Sequence, residues 1–100
     1  MIIYEITAIV HVDLIEPYEK YMCDTHIPDL LATGFFSRAK FACSGESRYR
    51  TQYEAQNQEA LDGYLETDAA RLRADWFGRF PEGVELSREN WEVLQDWSND

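Results

Sequence analysis

From residue 2 to residue 12 the chain alternates strictly. Ile2, Tyr4, Ile6, Ala8, Val10 and Val12 fall on one side of an extended backbone, and Ile3, Glu5, Thr7, Ile9 and His11 on the other. A period of two is the mark of a strand. One side is wholly apolar or aromatic and needs cover, whereas the other is mixed and half polar. The chain therefore has to roof one face of a sheet, and the residues that follow supply the roof. Asp13 with Glu16 three residues later reads as a capping pair, and Pro17 suits a first helical turn. Tyr18, Tyr21, Met22, Thr25 and His26 then repeat at helical spacing. Pro28 disfavours helical geometry at Ile27, which predicts a break or kink, followed by a short turn over 29–33 closed by Gly34.

The same grammar runs through the rest of the chain. Residues 35–43 read as a second strand, with Phe35, Ser37, Ala39, Phe41 and Cys43 on one face and Arg38 and Lys40 on the other beside Phe36 and Ala42. Residues 44–47 form a hairpin turn, and in 48–55 Tyr49, Thr51, Tyr53 and Ala55 alternate against Arg48, Arg50, Gln52 and Glu54. Asn57 is the N-cap of a second helix whose apolar stripe is Leu61, Tyr64, Leu65, Ala69, Leu72 and Trp76, with Gly63 as its weak point. Residues 84–94 read as a fourth strand with a bulge or bend, because Arg88, Asn90 and Glu92 share a side with Leu86 and Leu94.

The order β-α-β-β-α-β with short connections is the split βαβ arrangement. It predicts one α+β domain over 1–100, a ferredoxin-like four-stranded antiparallel sheet with both helices on one face. The uncovered face is then a docking surface, and self-pairing into a homodimer is the expected use of it; a solvated face is the alternative.

Composition excludes some partners. Apolar residues are 45% and aromatics 14%, enough for a core. Nine basic residues against 19 acidic ones give a formal charge of -10, a field that repels phosphate backbones and argues against nucleic acid and anionic membrane. The apolar run near the start is too short for a membrane span and lacks the basic stretch of a signal peptide, so the expected location is cytoplasmic. Cys23 and Cys43 are then expected as reduced thiols in or near the core, with a disulfide between them the lesser alternative.

His26 is the first candidate for chemistry. It follows Tyr18 and Met22 at steps of four, on the core-facing stripe near the helix end, where an imidazole can serve as general acid, base or axial ligand. The plainer reading is a histidine that fixes the Ile27-Pro28 turn by a hydrogen bond. Cys23, His26 and Asp29 do not make a metal site, because Pro28 interrupts their helix, His11 is remote and a structural zinc wants four such ligands. The aromatic set is the second candidate. Tyr4, Phe41, Tyr53 and Trp91 project from strand faces toward Tyr18, Tyr64, Leu72 and Trp76, and so many Tyr and Trp side chains imply a partly open pocket for a flat, mostly apolar ligand. Tyr4, Tyr18, Tyr53 and Trp76 are the expected ligand contacts. Third, Arg38, Lys40, Arg48, Arg50 and Arg88 are assigned to the faces away from the helices, together with Glu5, Glu54 and Glu92, as an ion-paired seam or an anion site. No nucleophile elbow, P-loop or dinucleotide fingerprint occurs.

The run His26-Ile27-Pro28-Asp29-Leu30-Leu31-Ala32-Thr33-Gly34, the opening Met1-Ile2-Ile3-Tyr4-Glu5, and the stretches Gln52-Tyr53-Glu54-Ala55 and Ala70-Arg71-Leu72-Arg73-Ala74 resemble a small bacterial family, domain of unknown function 4286. The resemblance extends over nearly the whole chain. It implies membership of the dimeric α/β-barrel superfamily, in which two ferredoxin-like subunits close their sheets into a barrel. That superfamily includes cofactor-free monooxygenases of aromatic polyketides, muconolactone isomerase and haem-degrading enzymes. The family has no established reaction, so the resemblance bears on fold and dimer more than on chemistry. The expectation is a homodimer that binds a small aromatic or apolar molecule without a cofactor, with His26 as acid or base of an oxidation or isomerisation. The alternative is a non-catalytic binding or regulatory module, and haem on His26 is a third idea.

Overall fold

The structure, a computed structural model, describes residues 1–99. Four strands form one antiparallel sheet in the order β2-β3-β1-β4: β1 is Ile2–Val10, β2 Phe36–Ser44, β3 Arg48–Ala55 and β4 Val84–Glu92. Helices α1 (Ile15–Tyr21), α2 (Ile27–Ala32), α3 (Gln58–Thr67) and α4 (Ala69–Arg79) complete the ferredoxin-like architecture read from the sequence. β1 is the central strand, paired with β3 on one side and β4 on the other. Ile2, Tyr4, Ala8 and Val10 are buried beneath the helices, as their alternation requires.

Local differences from the sequence reading have physical causes. The entry to the first helix is capped by His11, whose Nδ1 accepts the Asp13 amide at 3.2 Å, so Asp13 is a member of a short 3-10 turn and not the cap. Pro28 does not break the helix. A π turn over Met22–His26 joins α1 to α2, with the Ile27 amide donating to the Met22 carbonyl five residues back. The wider turn removes the clash between the Pro28 ring and the carbonyl four residues earlier.

In β2 a bulge between Phe36 and Arg38 puts Phe36 opposite Ala55 and Ala39 opposite Tyr53. Phe36 thus enters the core in place of Phe35, which packs at its edge. β4, by contrast, pairs with β1 residue for residue and has neither bulge nor bend. Its register carries Arg88 opposite Ile6 and Glu92 opposite Ile2, on the helix side, and Trp91 opposite Ile3, on the uncovered side. All three reverse the faces expected from sequence. Cys23 and Cys43 are free and exposed and not core residues, because Cys23 lies on the solvent side of the π turn and Cys43 lies near the end of β2.

The second helix does divide, but at Asp68 and not at Gly63. Asn57 caps α3 through the Ala60 amide at 2.9 Å, as its position predicted. Gly63 is needed for space: a Cβ there would stand 2.6 Å from Cε1 of Phe35. Gly63→Ala is therefore expected to lower the melting temperature of the otherwise unchanged chain. In a Phe35→Ala background it is expected to stabilise by the ordinary helix gain of about 1 kcal/mol. Thermal unfolding of the four proteins measures this, and a gain in both backgrounds would show that the ring yields without cost.

Candidate functional site

The sheet supplies the floor of a cavity, through Tyr4 and Ile6 of β1, Tyr53 of β3, and Leu86 and Arg88 of β4. The first helical segment roofs it with Tyr18, Met22, His26 and Leu30, each four residues after the last across the π turn. Tyr64 of α3 and Arg73, Trp76 and Phe77 of α4 form the remaining wall. The five residues singled out in the sequence, His26, Tyr4, Tyr18, Tyr53 and Trp76, thus line one space.

Arg73 and Arg88 belong to that space and were missed. Helical spacing could have found Arg73, which lies four residues after Ala69 and three before Trp76. Unbroken alternation from Val84 through Leu86 could have found Arg88; treating its charge as a sign of a bulge hid it.

The aromatic walls are held by stacked, tilted and edge-on ring contacts. Tyr4 lies 6.0 Å from Phe36, nearly parallel, and 5.8 Å from Tyr64, while Tyr18 packs 5.2 Å from Tyr49 and 5.5 Å from Phe80. The free interior is small, about 30 Å³, within a crevice of about 420 Å³ once the mouth is counted. The inner space holds a water or a small polar group and no ring. Phe77, half exposed at the mouth, is the wall residue least held by burial.

Three buried polar atoms of this lining have no partner among the described residues: Nδ1 of His26, the hydroxyl of Tyr53 and Nε of Arg73. Leaving such atoms unpaired costs about 1–3 kcal/mol each, so the presence of all three residues in one lining calls for an explanation. Arg73 is otherwise anchored, its Nη2 donating to the Tyr4 hydroxyl at 2.9 Å. His26 stacks on Tyr21 at 5.7 Å, and Arg79 lies 4.9 Å above the same tyrosine ring.

Burial pushes the His26 imidazole down to about 4; Asp29 and Asp75 pull it upward, and Arg88 pushes it lower still. It is neutral at pH 7. Burial raises the Tyr18 and Tyr53 hydroxyls, and it raises Tyr64 to about 12 although Arg73 and Arg88 oppose that rise. These phenols remain protonated donors.

The uncovered face carries a second polar assembly. Glu5, only 8% exposed, accepts from Gln52 Nε2 at 2.9 Å and from Trp91 Nε1 at 3.2 Å, and Arg50 Nε stands 3.4 Å from it. Arg38 pairs with Glu54 at 3.7 Å. No group of three or more His, Cys, Asp or Glu side chains among the described residues could hold a metal. No described helix is long and apolar enough to cross a membrane.

His26 gives a signed pH prediction. Its folded pKa lies below its unfolded value, so the unfolded chain takes up the proton first as pH falls. The stability that neutral His26 allows is lost as pH falls through the unfolded value toward about 4. Urea unfolding of the native chain and of His26→Gln is expected to show the variant gaining on the native chain by up to roughly 3 kcal/mol between pH 7 and pH 4. A constant difference would mean the imidazole titrates as in water.

A family model described as a domain of unknown function, DUF4286, matches residues 1–94. No curated protein matches the chain significantly. Among solved structures, a candidate antibiotic biosynthesis monooxygenase from Nitrosomonas europaea superposes with a TM-score of 0.76 at 12% identity, covering 95% of this chain and 100% of that one. A dimeric ferredoxin-like protein from an uncultured marine organism gives 0.73 at 9% identity, over 99% and 100%. A mutant of MhuD with two manganese protoporphyrin IX molecules bound per active site gives 0.65 at 17%, over 97% and 99%. At such identities the likeness is one of fold.

Proposed function

We infer, from the premise that the chain belongs to the domain of unknown function 4286 family, that it binds a small, largely aromatic or apolar molecule between helices and sheet. His26 then acts on that molecule as acid or base, without a cofactor. The observation that carries this reading is that the three residues with an unpartnered buried polar atom, His26, Tyr53 and Arg73, all line one aromatic cavity. The polar groups of a ligand entering there would give these atoms partners, and aromatic walls would take the rest of the molecule.

The chemistry that suits such a site is removal of a proton from a carbon beside a carbonyl. His26 takes the proton, and the electron pair passes to the carbonyl oxygen as an enolate stabilised by Arg73 and the Tyr53 hydroxyl. Returning the proton to a second carbon completes an isomerisation. With dioxygen as oxidant, a CH2 group becomes a carbonyl, one oxygen atom entering the substrate and the other leaving as water. Two neighbours in fold are named as monooxygenases, which supports trying that chemistry first.

Oxygen uptake with tricyclic aromatic ketones is the direct assay. His26→Gln is expected to lower turnover by ~100-fold or more while binding survives. Equal turnover in both proteins would remove His26 from the chemistry. The pKa of about 4 favours a second reading, since so weak a base is poorly matched to neutral pH. Binding without turnover in the native protein would establish that reading, a non-catalytic binding module.

The partner we propose is a second copy, docked through the uncovered sheet face. On that face Lys40 of β2 and Arg48 of β3 have no ion pair among the described residues, and neither do Glu85 and Glu89 of β4 at the far edge. A two-fold axis lying between the two sheets and running along the strands would lay the basic side of each copy over the acidic edge of the other. Sedimentation is expected to show a dimer at micromolar concentration. Lys40→Glu/Arg48→Glu and Glu85→Lys/Glu89→Lys should each be monomeric alone and dimeric when mixed. A native monomer would overturn the dimer, and failure of the mixture to pair would overturn the charge arrangement.

A further inference from the structure

The charge of the cavity is opposite to that of the protein. The chain carries a formal charge of -10, yet the lining holds two guanidinium groups, Arg73 and Arg88, and no carboxylate. Neither arginine forms an ion pair among the described residues. Arg71, two residues before Arg73 and so on the opposite side of α4, shows the ordinary surface alternative by pairing with Asp68 at 3.0 Å. Arg73 instead points one donor at the Tyr4 hydroxyl and leaves Nε buried without an acceptor. The acids that act on His26, Asp29 and Asp75, lie outside the lining.

We propose that Arg73 and Arg88 form an anion-binding subsite and that the ligand is an aromatic carboxylate. The proposal rests on the reading of this cavity as a ligand site and adds the class of molecule it takes. Two guanidinium groups facing one space without an acid would repel each other, and a carboxylate between them relieves that repulsion while occupying the vacant Nε donor. The free space of about 30 Å³ is of a size for such a polar head. The ring would follow into the crevice against Tyr64 and Trp76, with Phe77 displaced from the mouth. An acidic protein that binds an anion needs this local reversal of field, because its overall charge would otherwise turn the ligand away.

Calorimetric titration with 2-naphthoate and its neutral isostere 2-naphthamide, at pH 7, tests this. The native protein is expected to bind the naphthoate at least tenfold more tightly than the naphthamide, and Arg88→Gln and Arg73→Gln each to erase most of that preference. Arg88→Gln changes a residue at the exposed rim of the cavity and keeps the test open if Arg73→Gln fails to fold. Equal affinity for the two probes would overturn the anion subsite and leave the cavity as a site for neutral aromatics. Binding of neither probe would overturn the ligand-site reading itself. A preference that survives both substitutions would place the anion elsewhere.

Discussion

Tyr4 is the point on which the rest of the molecule turns. It lies in the middle strand, stacks along Phe36 from β2, meets Tyr53 from β3 at 6.0 Å and Tyr64 from α3 at 5.8 Å, and accepts a hydrogen bond from Arg73 of α4. Each contact joins β1 to a different element. The ring fills volume, as any large side chain would, but its hydroxyl also fixes a guanidinium that would otherwise have no reason to face inward. Core and site are therefore one construction. What stabilises the sheet against its helices also sets the direction of the donor that lines the cavity.

That coupling explains why so much of the site was legible in the chain. Tyr4, Tyr53, Tyr18 and Trp76 were found as core residues, by a period of two on strands and of about four on helices. They line the cavity because the cavity is a gap in that core. His26 was found because it continues the Tyr18–Met22 spacing. The residues that escaped are those whose charge overrode their position. Arg88 obeys the alternation of β4 without exception, yet its guanidinium was assigned outward on the rule that charge faces water. The same rule misled Glu92, and an aromatic rule misled Trp91, which faces outward to reach Glu5.

Two further differences lie in backbone geometry that side-chain pattern does not encode. The bulge after Phe36 adds one residue to β2 and exchanges the roles of Phe35 and Phe36. Both are phenylalanine, so no substitution of type marks the shift. The π turn likewise adds one residue to a helix, and Pro28 was a clear sign of trouble there without being a sign of which remedy the chain adopts. In each case an inserted residue changes which face the following residues occupy, and tertiary packing decides the outcome.

The π turn has one more consequence. Its wide hydrogen bonds lie between two short α segments, each anchored by its own buried residues: Tyr18 and Tyr21 before it, Leu30 after it. Met22 inside the turn is buried as well, so the turn belongs to the core from end to end. The added residue thus sets the angle at which the second segment leaves the first, and with it where the imidazole stands over the sheet. A straight helix carrying the same residues would present His26 in another direction.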